Sequence, residues 1–433
     1  MVSINRILIS AVFVLVGFFI YISYSLKILF VYLSVFVLLE VFFYVLVINL
    51  REKFPWLITP KDEVPIIDPN GLEKFMNHGF DPELGWVRKP NTSKKEIGKE
   101  GLSEYHIDKR GSRKSPGHER WPIKIGCHGD SFTFARQVND NETWEWHLSE
   151  LTKTKVLNFG VGNYGLDQSL LRLKREYLKN KTKIVIIGVV PSTIVRVLCM
   201  WKHYNEFGNT FAFKPMFKLK DNRLMLVKNI IDSKKKFFKL NEYLNYFRKN
   251  DYFYKSKFRE EMIRLPCLIS ILSHPVRNFK LIGLILWSMI SEKEKDKEMQ
   301  VYDTPMKVIM DINFKLRYKL FKKNKYALKL MVKLVEEFID YSKKQDFVPI
   351  FLFMPQKDDL LFIKKKKDYY YINFINAIKD KIFTIDLTKD LLNIDNLDYL
   401  YSDDTKYGGH YSKTGNKWVA DIIYREMKEN KVI

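Results

Sequence analysis

Two uncharged stretches at the N-terminus constrain this chain more than anything that follows them. Residues 7–25 carry no charge, and residues 28–49 carry a single acid, Glu40. As helices rising about 1.5 Å per residue, each spans roughly the 30 Å of a bilayer core. Only Leu26 and Lys27 separate them, so residues 1–55 predict a tight transmembrane hairpin. The first run lacks a small-residue cleavage site and a second run follows at once, so a retained anchor is expected rather than a signal peptide. Glu40 is costly in lipid and is expected to face the partner helix or to lie protonated. A hairpin returns the rest of the chain to the side of Met1. Arg6, Arg51 and Lys53 flank that side and Lys27 the other, a cytoplasmic lean of a few charges that leaves the side open.

The remainder is long enough for one large domain with additions. Hydrophobic residues make up 46% of the 433, enough for a packed core. The net charge of +23 comes mainly from lysine, with 56 lysines against 17 arginines. Sequence-specific nucleic-acid readers lean on arginine forks, and no nucleic-acid motif occurs. The charge therefore reads as a solvated lysine surface first and a face for anionic lipid second. Cys127, Cys199 and Cys267 are scattered, as are the eight histidines, so neither a disulfide framework nor a metal site is expected. No diffusible cofactor is expected either.

Residues 56–120 read as an irregular lead-in, rich in Pro, Gly, Asn and Ser between 80 and 117. From residue 121 the pattern changes. Short apolar runs at 121–127, 155–161, 184–190, 347–355 and 382–387 alternate with helical periodicity at 143–153, 166–180, 325–345, 369–381 and 413–429. Apolar strands joined by helical crossovers predict a parallel sheet covered on both faces. The expected fold is therefore a three-layer α/β/α domain over 121–433 with five parallel strands. About 197–322 forms a large helical insertion packed near the membrane surface. Pro266, His274, Pro275, Arg277 and Lys280 break its most apolar stretch and argue against a third span. The aromatic run Phe207–Phe217 reads as core packing, with a sugar-stacking wall as the alternative.

Open parallel sheets bind ligands at the carboxyl ends of their strands. After the first strand come Gly129-Asp130-Ser131-Phe132-Thr133, a turn that presents a hydroxyl. After the second come Gly160-Val161-Gly162-Asn163-Tyr164-Gly165, a loop able to aim N–H groups at an oxyanion. Before the last helix, residues 403–412 supply His410 beside the carboxylates Asp403 and Asp404. A hydroxyl nucleophile needs a base within reach, and the base needs an orienting acceptor. His128 and Cys127 read as structural, although Cys127 is a rival nucleophile by position. Asp130 is expected to orient the turn or cap its N–H groups and, with Arg196, to border the substrate.

These three blocks resemble the SGNH/GDSL hydrolase superfamily, especially its membrane-anchored members that handle O-acyl groups on glycans. The resemblance covers 121–193 and 345–427, with a weaker echo in the Asp81–Trp86 lead-in. It implies Ser131 as nucleophile and, through its N–H, as an oxyanion donor. His410 is implied as base and then acid, and Gly162 or Asn163 as the second oxyanion donor. Two positions depart from the pattern. The Gly-x-Asn expected after the third strand is absent, because Val189, Val190 and Pro191 follow Gly188. Asn163 is expected to replace that asparagine. The acid three residues before the histidine is replaced by Tyr407, which leaves Asp404, Asp403, or a dyad whose imidazole is held by a backbone carbonyl. The implied activity is ester hydrolysis or O-acyl transfer on acyl, first of all acetyl, esters of a glycan or lipid-linked saccharide. The bilayer and a membrane acyltransferase are the expected partners. The other readings are a non-catalytic member that binds glycan or scaffolds an envelope complex, and a lipid-cleaving esterase.

Overall fold

The computed structural model describes residues 4–53, 64–98, 101–206, 209–291, 304–403 and 405–433. The chain forms two compact units. One comprises residues 1–68, 199–213 and 235–309, and the other 69–198, 214–234 and 310–433.

In the first unit, α1 (Ile4–Ser23) and α2 (Leu26–Lys53) form the hairpin. Both are long and apolar enough to cross a bilayer, with mean hydropathies of 2.3 and 2.6. Most of their apolar side chains are exposed or half-buried, Phe30 at 72%, while Val47 of α2 is buried. Tyr32 donates to the Phe13 carbonyl at 2.9 Å, and the rings of Phe13 and Phe36 meet edge-on at 5.2 Å. Glu40 does not find its partner on α1, as the sequence suggested. Its carboxylate accepts the N–H groups of Cys267 and Leu268, at the start of the short helix Cys267–Ser273. First-turn N–H groups lack intrahelical acceptors, so an acid held there is satisfied without a cation. Arg6 donates to the Leu265 carbonyl at 3.1 Å and Asn5 to that of Ser273 at 3.2 Å, so part of the insertion folds onto the hairpin. The aromatic run is core rather than a sugar wall. Phe213 is buried and stacks on Trp201 at 4.8 Å, and Phe217 is buried too, while Phe207 lies outside the described residues.

The second unit holds a five-stranded parallel sheet. Its strands are β1 (Ile123–Gly129), β2 (Lys155–Gly160), β3 (Ile184–Val189), β4 (Val348–Phe353) and β5 (Phe383–Asp386). Each lies within two residues of the sequence expectation. The spatial order is β5-β4-β3-β1-β2, with every pair parallel. Strands β2 and β3 are buried along their whole lengths, as a doubly covered sheet requires. Helices α3 (Trp144–Thr152), α4 (Leu166–Glu176), α5 (Lys325–Gln345) and α6 (Lys413–Glu429) match four predicted helices, and Ile372–Ile378 is a shorter form of the fifth. Thr143 caps α3 by accepting the Trp146 N–H at 3.1 Å, and Ser412 caps α6 through the Gly415 N–H at 3.1 Å. The lead-in is not wholly irregular. Ser93–Gly98 and Gly101–His106 pair as an antiparallel hairpin. Its charged residues gave no apolar alternation to read.

Chain order reverses between β1 and β3, whose neighbours continue in opposite directions. That is the switch point where the crevice of such a sheet opens. Gly129 at the end of β1 is in register with Gly160 of β2 and Gly188 of β3, so all three strands deliver their loops to one level.

Candidate active site

Residues 130–135 turn sharply over the carboxyl ends of β1, β2 and β3. The turn lies close because the strand ends are glycines. A Cβ at Gly129 would sit 2.1 Å from the Gly188 carbonyl oxygen, and one at Gly160 would sit 2.2 Å from the Phe134 nitrogen. Thr133 Oγ1 donates to the Gly188 carbonyl at 2.8 Å and fixes the turn from above. The Gly160→Ala variant is expected to push the turn off the sheet at a cost of about 1–3 kcal/mol. The thermal midpoint should fall by roughly 2–10 °C, read by scanning calorimetry in detergent.

Asp130 is fully enclosed, so it cannot border a substrate, which corrects that expectation. Its Oδ1 accepts the Phe132 N–H at 2.9 Å. Its Oδ2 accepts the Val190 N–H at 3.1 Å and Arg196 Nη1 at 2.9 Å. Burial raises its pKa, and Arg196 and the two N–H groups oppose that rise. Asp130 thus ties the serine turn to the loop after β3. Arg196 also donates to the Tyr164 carbonyl at 3.0 Å, which adds the loop after β2.

Ser131 is 7% exposed, and its hydroxyl makes no direct hydrogen bond to His410 among the described residues. Unliganded sites often tighten such bonds only when substrate binds. Also among the described residues, the backbone N–H groups of Ser131, Gly162 and Asn163 have no hydrogen-bond partner. Of the three, only Ser131 is buried, and a buried N–H without a partner is uncommon. Asn163 is at the exposed tip of its loop, in the left-handed region at φ 65°. The lead-in braces this loop: Trp86 Nε1 donates to the Gly162 carbonyl at 2.9 Å, and Tyr164 donates its hydroxyl to the Trp86 carbonyl.

His410 comes to the same turn from the far end of the chain. Its ring lies 5.0 Å from that of Phe132, next to Ser131 in sequence. Its Nδ1 lies 2.7 Å from Gln137 Oε1. The direction of this contact follows from its neighbours. Gln137 Nε2 donates to the Ile97 carbonyl at 3.2 Å, and Gln137 Oε1 faces the His410 backbone N–H at 3.2 Å, a group that can only donate. The amide oxygen therefore faces His410, Nδ1 carries the proton, and Nε2 is left as the basic nitrogen. Nε2 has no protein partner among the described residues. Burial, with Arg136 and Arg196 adding to it, holds the imidazole well below its ordinary pKa.

The acceptor on His410 is thus Gln137, which the sequence reading missed. Asp403 does not reach the ring: its carboxylate accepts the Thr405 N–H at 2.7 Å in a local turn. Asp404 lies outside the described residues. The glycine pair does bend the loop, with φ of 73° at Gly408 and 63° at Gly409. The bend brings the loop against Gln137, since a Cβ at Gly409 would lie 3.0 Å from its Oε1 and 2.6 Å from Ser402 Oγ. Gln137 itself is left-handed at φ 67°, held by the lead-in hairpin through Ile97 and through Glu96, which pairs with Arg136 at 2.9 Å. Position six after the serine was the only sequence signal, and nothing in it points to a histidine 273 residues away.

Cys127 is fully buried and burial pushes its thiol pKa far up, so it is no rival nucleophile. His128 is buried against Phe159 with rings 5.0 Å apart, and burial holds it neutral.

Solved structures similar to the chain are remote. An acetyl xylan esterase aligns with a TM-score of 0.32 at 12% identity, over 70% of this chain and 98% of its own. A lipase/acylhydrolase from Enterococcus faecalis aligns at 0.32 and 12%, over 71% and 96%. A two-domain esterase active on acetylated mannans aligns at 0.32 and 8%, over 72% and 50%. A likeness this remote transfers neither residues nor substrates. No family model and no curated protein matches the chain.

Proposed function

We propose that the protein is a membrane-anchored serine esterase or O-acyltransferase acting on acyl, chiefly acetyl, esters of a glycan or lipid-linked saccharide. The observation that carries this reading is the imidazole of His410, fixed by Gln137 with Nδ1 protonated, beside the Ser131 turn at the switch point of the sheet. In this reading Ser131 Oγ attacks the ester carbonyl carbon while its proton passes to His410 Nε2. The N–H groups of Ser131 and Gly162 receive the oxyanion. The intermediate collapses, His410 protonates the departing alkoxide, and the acyl-enzyme passes its acyl group to water or to a sugar hydroxyl. The apolar hairpin keeps this chemistry at a bilayer, where lipid-linked saccharides and a membrane acyltransferase partner are found.

The test is an organophosphonate probe on the full-length protein in detergent, with the adduct mapped by mass spectrometry. A single adduct on Ser131, together with acetate release from an acetylated oligosaccharide, is the expected result. No adduct and no release would leave the second reading, a non-catalytic glycan binder. That reading is favoured because, among the described residues, Ser131 and His410 share no hydrogen bond and no carboxylate meets the His410 ring.

The depressed pKa of His410 sets the acid limb of the activity. The neutral imidazole is the active base, so lowering its pKa keeps it active in more acidic solution. An ordinary imidazole would cost about tenfold in kcat/KM between pH 7.5 and 5.5. Here the loss is expected to stay within about twofold, as read from initial rates with a soluble acetyl ester.

A further inference from the structure

The third oxyanion donor of the pattern is missing after β3, and a cation occupies its neighbourhood. We propose that Arg196 is the charged oxyanion donor of this site, taking the role the absent asparagine would have held. This rests on the esterase reading above and adds a catalytic residue to it.

Four observations support the assignment. Arg196 closes the short helix Thr193–Arg196, directly after the third strand of the sheet. Its Nη1 is anchored twice, on Asp130 at 2.9 Å and on the Tyr164 carbonyl at 3.0 Å, so one edge of the guanidinium is bound between the serine turn and the loop after β2. Its stem lies against Gly165, where an added Cβ would come 3.1 Å from the Arg196 Cβ, so the approach depends on the glycine. Among the described residues Nε and Nη2 have no protein partner, and the side chain is 16% exposed. A fork anchored along one edge on a buried carboxylate presents its remaining N–H groups without reorganising, as an oxyanion donor must.

Asn163 is the competing donor. Its side chain is exposed, where water competes for its hydrogen bonds, whereas a charge-assisted donor in a partly dry site is worth roughly twice a neutral one. In the reaction the carbonyl π pair moves onto oxygen as the Ser131 Oγ–carbon bond forms. Arg196 stabilises that charge without giving up a proton, and releases it when the carbonyl re-forms and the alkoxide leaves.

The test uses full-length protein and a soluble acetyl ester, with Arg196→Met, Arg196→Lys, Arg196→Ala and Asn163→Ala. For Arg196→Met, kcat is expected to fall about 10²-fold with KM within about threefold, because the lost bond belongs to the transition state. Arg196→Lys should lose about tenfold, since one ammonium cannot hold Asp130 and the oxyanion in the same fork geometry. Added guanidinium ion should restore part of the kcat of Arg196→Ala, a readout that a packing role would not move. Unchanged kcat in Arg196→Met would overturn the assignment. So would a loss in Arg196→Ala that guanidinium leaves untouched, or a larger kcat loss in Asn163→Ala than in Arg196→Met. Phosphonate labelling of wild-type Ser131 separates the two levels. If Ser131 is labelled and the arginine variants behave as wild type, only the Arg196 assignment fails. If wild-type Ser131 is not labelled and no ester is turned over, the esterase reading itself fails.

Discussion

Replacing Ser131 with alanine is expected to abolish ester turnover, by about 10⁵–10⁶-fold in kcat, while the fold and membrane association stay as in wild type. Removing the attacking atom from a serine–histidine pair leaves only the background stabilisation of the oxyanion donors. The fold should tolerate the change. The turn is set by Asp130 on the Phe132 and Val190 N–H groups and by Thr133 on Gly188, and the Ser131 hydroxyl takes no part in those bonds. The check is paired: acetate release from an acetylated oligosaccharide, and the thermal midpoint of the same preparation. Full activity in Ser131→Ala with an unchanged midpoint would remove Ser131 from the chemistry and leave the binding reading.

The second large effect is expected at Gln137. Gln137→Ala should lower kcat about 10³-fold with KM nearly unchanged. The amide oxygen holds the proton on Nδ1 and thereby keeps Nε2 as the base. Where a triad loses the acceptor that selects this tautomer, the loss is about 10⁴, and a neutral amide supplies less electrostatic help than a carboxylate. Gln137→Glu separates orientation from charge. It keeps an acceptor within 2.7 Å of Nδ1 and adds an anion, which raises the pKa of His410. That variant should remain active above neutrality and lose activity on acidification at a higher pH than wild type. The measurement is a pH–rate profile of wild type and both variants. If Gln137→Ala turns over at the wild-type rate, the amide is packing and His410 is oriented by something else.

The contrast between Gln137 and Asp403 shows how far local reading reaches. Near His410 the sequence offers carboxylates six and seven residues away, Asp404 and Asp403, so the orienting group is expected there. Asp403 instead closes its own turn on the Thr405 N–H. The acceptor came from the serine turn, and its geometry depends on the lead-in hairpin through the Ile97 carbonyl. The same holds for Glu40. Its cost in lipid was legible, but its partner was an N-terminal helix turn more than two hundred residues later.

What the amino-acid order determined alone is whatever repeats or turns locally: two apolar helices, five strands within two residues of their observed ends, a serine on the loop after the first strand and a histidine just before the last helix. Period, capping and glycine are properties of neighbouring residues, so they are written in the string. Tertiary structure alone decided which groups meet over the switch point, namely Gln137 on His410, braced by the hairpin at 93–106, and Arg196 on Asp130. A hydrogen bond between residues 273 positions apart leaves no period in the sequence, because it is set by how packed layers bring distant loops to one level.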